Sequence, residues 1–267
     1  MMEQMKRNGK VIRALIEIRF QNLMMFRLGF FGPFFVDGSL FLIQLIVFQA
    51  IYANVDRIGT WGRGEMTLFI GTFSMINAIN MLVYFFGVNG IPQKIKNGEM
   101  DLYLTKPGSP LLRLTFEQIN PGSIPLVGMS ALIIVYGVHQ IDVPISAGAM
   151  VGYVFWLILM TILYYELEVI IRSICFFVIS NANIIRIEEA GLDLCMKIPG
   201  IVFYGGYKIL FCCILPYGIM ATIPVQSLVG ELNVFGAAYG ILITVVFTGI
   251  TGTVWKSGIR HYNSASS

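Results

Sequence analysis

Long apolar runs dominate the chain, and its polar residues gather in short stretches between them. Five runs stand out, at residues 30–53, 66–88, 117–138, 145–165 and 232–255. Each meets the roughly 20 residues a helix needs to cross a hydrocarbon core. The first holds Pro33 and Asp37 near its start, and the third holds Pro121 and Pro125 in its first half. A glycine-rich loop at 54–65 separates the first two runs, and a tight turn at 139–144 separates the third and fourth. Residues 173–230 divide less cleanly. An uncharged stretch from Ser173 to Ile185 is short. Arg186, Glu188, Glu189, Asp193 and Lys197 follow it, and the uncharged run from Ile209 to Gly230 is broken by Pro216 and Pro224. Hydropathy alone puts a fifth span at about 201–223. The pattern predicts an all-α polytopic membrane protein with six transmembrane helices.

Residues 1–28 read differently. Lys10, Arg13, Glu17 and Gln21 recur at helical spacing, with Ile12, Leu15, Ile16, Leu23 and Phe26 largely opposite them. Arg19 and Asn22 interrupt the apolar arc. Charges persist to Arg27, so the segment is not read as a signal peptide. It predicts an N-terminal amphipathic helix lying in the membrane interface, ahead of a transmembrane domain at 29–267.

The one long hydrophilic stretch between apolar runs is Asn89 to Leu112. Pro92 suits the first turn of a helix, and Gly98 suits its end. A short helix over 92–97 is expected, with Glu99 and Asp101 just beyond it and Lys106-Pro107 closing the segment. That arrangement fits a docking surface, and it equally fits an ordinary solvated loop.

Composition supports the membrane reading. The chain has 267 residues, 56% hydrophobic and 12% charged, against about 25% charged in a soluble domain. Mean hydropathy is +0.75. The net charge of +3 gives no reason to expect a nucleic-acid partner. Its distribution is informative. Lys6, Arg7, Lys10, Arg13, Arg19 and Arg27 precede the first span; Lys94, Lys96, Lys106 and Arg113 lie in the hydrophilic stretch; Lys256 and Arg260 follow the last span. The intervening loops hold Arg57, Arg63 and His139. The positive-inside rule therefore places both termini and the 89–112 stretch in the cytoplasm.

The run IKNGEMDLYLTKPGSPL resembles the first cytoplasmic loop of ABC-2 type permeases, the membrane subunits of ABC exporters. The matching positions are Ile95, Gly98, Glu99, Met100, Asp101, Leu104, Lys106 and Pro107. The resemblance implies a coupling helix between helices 2 and 3 that docks on an ATPase. Its residues would be Pro92, Lys94, Ile95, Lys96, Gly98, Glu99, Asp101, Leu104, Lys106 and Pro107. It implies separate ABC ATPase subunits that bind ATP and Mg, and a second permease, identical or paralogous. It also implies a fifth helix at about 176–198 with a re-entrant outer hairpin at 200–228. The charge between Arg186 and Lys197, too high for a lipid-facing helix, and the Pro and Gly content after it favour that assignment.

The chain's own chemistry is sparse. No phosphate-cradling G-x-x-x-x-G-K-[ST] run is present, no H-E-x-x-H, and no metal-ligand or catalytic spacing. The four cysteines read as small apolar residues. Asp37, Glu166, Glu168 and Arg172 are charges in or beside spans, where they are costly and mark candidate sites. All four fall near expected cytoplasmic ends, where headgroup water would reduce that cost. Gly148/Gly152 and Gly236/Gly240 are small-residue pairs suited to close helix packing. The expected function is the permease subunit of an ATP-driven exporter of a drug, peptide, lipid or glycan, in the cell membrane. An ion-coupled secondary transporter is the alternative, though no internal repeat relates the two halves.

This topology makes a labelling prediction. In sealed cells, cysteines at Asn97 and Asn263 should resist a membrane-impermeant thiol reagent, whereas Lys208→Cys should react from outside. Strong outside labelling at Asn97 would reverse the assignment.

Overall fold

The structure is a computed structural model that describes residue 17 and residues 27–141, 144–178 and 181–262, with side chains from Phe35 onward. The expected interfacial helix at 1–28 lies outside the described residues except at its end, as do positions 142–143 of the expected turn. Among the described residues the elements are helices, with one isolated bridge between Ile58 and Trp61. In chain order they are α1 (Arg27–Tyr52), α2 (Arg63–Val83), α3 (Phe85–Asn89), α4 (Ile91–Lys96), α5 (Asp101–Leu104), α6 (Pro110–Phe116) and α7 (Ile124–His139). Then come α8 (Ala147–Ser173), α9 (Ala182–Lys197), α10 (Gly205–Ile209), α11 (Tyr217–Met220), α12 (Thr222–Val229) and α13 (Val234–His261). The protein is an all-α polytopic membrane protein. Five helices are long and apolar enough to cross a membrane: α1, α2, α7 with its leading turn, α8 and α13.

Local chemistry sets the boundaries. Ser146 caps α8 by accepting from the Ala149 amide at 3.1 Å, and Asn233 caps α13 by accepting from Gly236 at 2.7 Å. The third span begins later than its apolar run. Pro121 starts a 3-10 turn capped by the Asn120 side chain, and α7 follows with Pro125 in its first turn. α8 runs further than its run, through to Ser173, carrying Glu166, Glu168 and Arg172 inside a regular helix.

Close backbone contact holds α2 against α7. A Cβ on Gly71 would stand 2.8 Å from the Ile134 nitrogen, and one on Gly137 would stand 2.7 Å from that of Leu68. In lipid, where no hydrophobic force drives helices together, such approach maximises dispersion contact. Of the two glycine pairs marked in the sequence, Gly152 packs on Ser227 and Gly240 on Trp156, both within the bundle. The central core includes Phe69, Phe73, Trp156, Met160, Tyr164 and Met220. A second cluster, with Tyr84, Ile91, Met100, Val169 and Trp255, closes the end that carries α4.

The course of the chain between α8 and α13 follows from its contacts. Ile201 packs on Gly59, and the Trp61 indole donates to Glu231 at 3.1 Å, so residues 201 and 231 both lie by the α1–α2 loop. Between them the chain bends by 75° between the Gly205–Ile214 and Tyr217–Val229 segments. Tyr217, at that bend, donates to Glu188 at 2.6 Å, deep in the bundle. Residues 200–229 therefore enter and leave at one end, which is the course of a hairpin rather than of a straight span. α8 ends at the other end, so α9 is the segment that brings the chain back. It has 16 residues, about 24 Å of helix.

The glycine contacts give a stability prediction. Gly137→Leu should force α2 and α7 apart and cost about 1–3 kcal/mol or more. Gly128→Leu should be nearly silent, since nothing lies within 4 Å of its Cβ position. Thermal unfolding of the detergent-solubilised protein reads both. Equal melting temperatures for the two variants would contradict this packing.

Candidate functional site

The hydrophilic stretch folds into a short, clamped helix. α4 carries Pro92 in its first turn, where the missing amide costs nothing. It closes in a Schellman motif: the Gly98 amide donates to Ile95 at 3.2 Å and the Glu99 amide to Lys94 at 2.9 Å. Gly98 has φ +72°, the left-handed geometry that favours glycine. Ile91 is buried, and Ile95 and Tyr103 pack on the same apolar cluster as the end of α8.

Lys94 is the centre of the clamp. Its ammonium lies 2.8 Å from Glu117 and 2.7 Å from the Tyr103 hydroxyl, which itself donates to Glu117 at 2.6 Å. The same ammonium sits 4.9 Å from the Tyr103 ring centroid. Burial alone would lower the Lys94 pKa, but the Glu117 and Tyr103 bonds outweigh it and raise it above the usual lysine value. The clamp joins α4, α5 and the residue after α6. Facing outward are Gln93, Lys96, Asn97, Glu99, Leu102, Leu104, Lys106 and Pro107. Asn97 donates to Glu99 at 2.8 Å, holding that acid in place. Asp101 takes a different position from Glu99. It is half-buried beside Tyr262, whose pKa rises through burial and the neighbouring carboxylate.

The charges marked near spans separate into distinct environments. Asp37 is half-buried on α1. Glu166 is buried and accepts from the Thr248 hydroxyl on α13. Glu168 and Arg172 are buried too, which corrects the expectation that headgroup water would reach them. Their apolar run ends at Tyr165, but α8 continues and neighbouring helices cover it. The Arg172 guanidinium lies 3.0 Å from Glu168 and 2.5 Å from Glu188, and it donates from Nε to Asn89 at 3.4 Å. With Tyr217 on Glu188, the cluster ties together the end of α3, α8, α9 and the hairpin bend. Glu188, Tyr217, Asn89, Tyr103 and Glu117 did not stand out in the sequence. Each gains its role from a partner 14 or more residues away, which no local spacing encodes.

A cleft of about 760 Å3 opens between α1 and the end of α9. Its walls are mainly apolar, including Leu40, Ile43 and Val47, with Gln44, Asp193 and Lys197 as polar points. The outward face of α9 carries Arg186, Glu189, Asp193 and Lys197.

Comparison with known families decides the kinship. The model of the ABC-2 family transporter proteins matches residues 39–266. The chain belongs to that family. No curated protein and no solved structure matches it. As an ABC-2 family transporter protein it is a multi-pass transmembrane component of an ABC system. The matched region includes α4, the Arg172 cluster and the hairpin.

The two ion-pair environments predict different mutational costs. Arg172→Leu strands two buried carboxylates and should cost about 3–5 kcal/mol, enough to abolish a stable folded yield. Lys197→Leu breaks a pair with Asp193 whose side chains are more than half exposed, worth about 0–1 kcal/mol. Folded yield by fluorescence-detected size exclusion separates them. An Arg172→Leu variant as well behaved as Lys197→Leu would contradict the cluster.

Proposed function

We propose that the chain is the permease subunit of an ATP-driven exporter. It pairs with a second permease, identical or paralogous, and with separate ABC ATPase subunits that hold ATP and Mg. It resides in the cell membrane with both termini and α4 in the cytoplasm. The pathway forms between the two permeases, and the cargo is drawn from drugs, peptides, lipids and glycans. Family membership supports this reading. The observation that carries it is the stiffness of α4: its proline start, left-handed glycine end, buried Ile91 and Lys94 clamp.

A coupling element must move as a unit, since a flexible loop would absorb displacement. α4 meets that need and has a route inward. Force on its outer face reaches the end of α8 through the apolar cluster under Ile91, and reaches Arg172 through Asn89. Arg172 then engages α9 and, through Glu188, the hairpin bend. The charged face of α9 and the cleft beside α1 lie along that route. Of the acids a secondary carrier would titrate, Glu166 accepts from the Thr248 hydroxyl on α13 and Glu168 is paired with Arg172 on its own helix.

The docking face and the clamp can be tested apart. Lys96→Glu with Glu99→Lys should weaken ATPase association about tenfold, equivalent to about 1.4 kcal/mol, while membrane insertion persists. Tyr103→Phe, which removes the hydroxyl shared by Lys94 and Glu117, should leave association intact and reduce cargo-stimulated ATP hydrolysis. Co-purification from native membranes and ATPase assays on the full complex measure these. Normal assembly and normal transport in the charge-reversed variant would show that the segment is a solvated loop.

A further inference from the structure

The end of α13 that lies beside α4 and α5 bears a surface notch that coupling does not use. Nothing stands within 4 Å of the Cβ positions of Gly249 and Gly252. With Thr248, Thr253, Lys256, Ser257 and Arg260 they line a shallow, open groove of about 580 Å3 on the face of α13 alone, and its lining holds no acid. Lys256 and Arg260 are exposed. They sit one turn apart on one face, so they repel each other unless an anion lies between them. Neither forms an ion pair among the described residues.

The position of the notch along α13 narrows the choice of anion. The helix has 28 residues, about 42 Å, whereas the hydrocarbon core is roughly 30 Å thick. On the same face, Leu242, Val245 and Val246 are exposed apolar side chains on the turns before Gly249. The cations follow on the turns after it. The notch therefore stands where acyl chains give way to headgroups. Glu166 approaches only through Thr248, two turns nearer the membrane centre than Lys256, and its own carboxyl is buried. The helix C-terminus has partial negative character, so any anion held here depends on the side-chain cations. The N-terminal segment is a poor occupant, because Lys6, Arg7, Lys10 and Arg13 repeat the charge already present.

We propose that this notch binds the phosphate headgroup of an anionic phospholipid. Lys256 and Arg260 bracket the phosphate, the Ser257 hydroxyl donates to one of its oxygens, and the acyl chains lie along Val245, Val246 and Leu242. A topogenic charge pair needs no adjoining cleft, whereas a headgroup needs both charge and room. Only the name of the leaflet, the cytoplasmic one, rests on the proposed topology.

Native mass spectrometry of the delipidated full-length protein tests it without any ATPase, so a failure of the exporter reading would leave the result unaffected. The probes are dioleoylphosphatidylglycerol and dioleoylphosphatidylcholine. The anionic lipid should be retained preferentially, and K256Q/R260Q should lower its binding by roughly tenfold or more, as two basic groups at a surface imply. Phosphatidylcholine binding should stay unchanged in that variant, which also reports that the fold is intact. G249L/G252L, with both cations kept, should lose the anionic lipid as well. Wild-type phosphatidylglycerol binding in K256Q/R260Q would overturn the site. Wild-type binding in G249L/G252L would overturn the notch, and displacement of the lipid by millimolar inorganic phosphate would overturn the lipid as its ligand.

Discussion

The architecture depends on the guanidinium of Arg172. Moving an ion out of water costs several kcal/mol after relaxation, and the cost is recovered only where each charge meets partners in good geometry. Arg172 meets Glu168 on its own helix, Glu188 on α9 and Asn89 at the end of α3, while Tyr217 completes Glu188. Meeting those partners constrains the chain in several places together. α8 has to continue past its apolar run, α9 has to present Glu188 inward, and the hairpin has to reach deep enough for Tyr217. Removing Glu188 would take from Arg172 its partner on α9 and from Tyr217 its acceptor, so α8, α9 and the hairpin would lose the tie they share.

Around this cluster the bundle is unevenly tight. α2 and α7 touch backbone to backbone at glycines, and α13 meets Trp156 at Gly240. α1 is different: only 17% of its residues from Phe35 to Tyr52 are buried. It faces the 760 Å3 cleft with apolar side chains and reaches α9 through Gln44, which donates to the Met196 carbonyl. A firmly packed half and a loosely held helix beside a cleft suit a transporter, whose working parts must move against a frame.

Much of this was legible in the sequence because the length of each apolar run largely decides how a chain sits in lipid. The five long spans, the helix between Pro92 and Gly98, and the left-handed glycine all follow from local chemistry. Kinship could be read from the loop around Ile95, Gly98 and Asp101. Other features were not legible, because they are agreements between distant residues. Nothing near Glu188 announces Arg172, and nothing near Lys94 announces Glu117. Span ends were misplaced for the same reason: hydropathy treats Glu166, Glu168 and Arg172 as the close of a run, whereas pairing lets the helix continue. Glycines pressed against a neighbour, such as Gly71 and Gly137, lacked the four-residue spacing that draws attention to a pair.

α9 carries five charged residues in 16, and each charge near a helix centre opposes insertion by about 2.5–3.5 kcal/mol for Asp, Lys or Arg. Such a segment cannot partition into lipid alone as it leaves the ribosome. Its Glu188 becomes tolerable only once Arg172 is in place, and its outer charges only beside water or another polypeptide. α8 and α9 therefore have to meet before Glu188 leaves water, and Glu188 then shares Arg172 with Glu168. The ion cluster that joins the finished bundle thus also bears on how a charged helix is accommodated beside lipid.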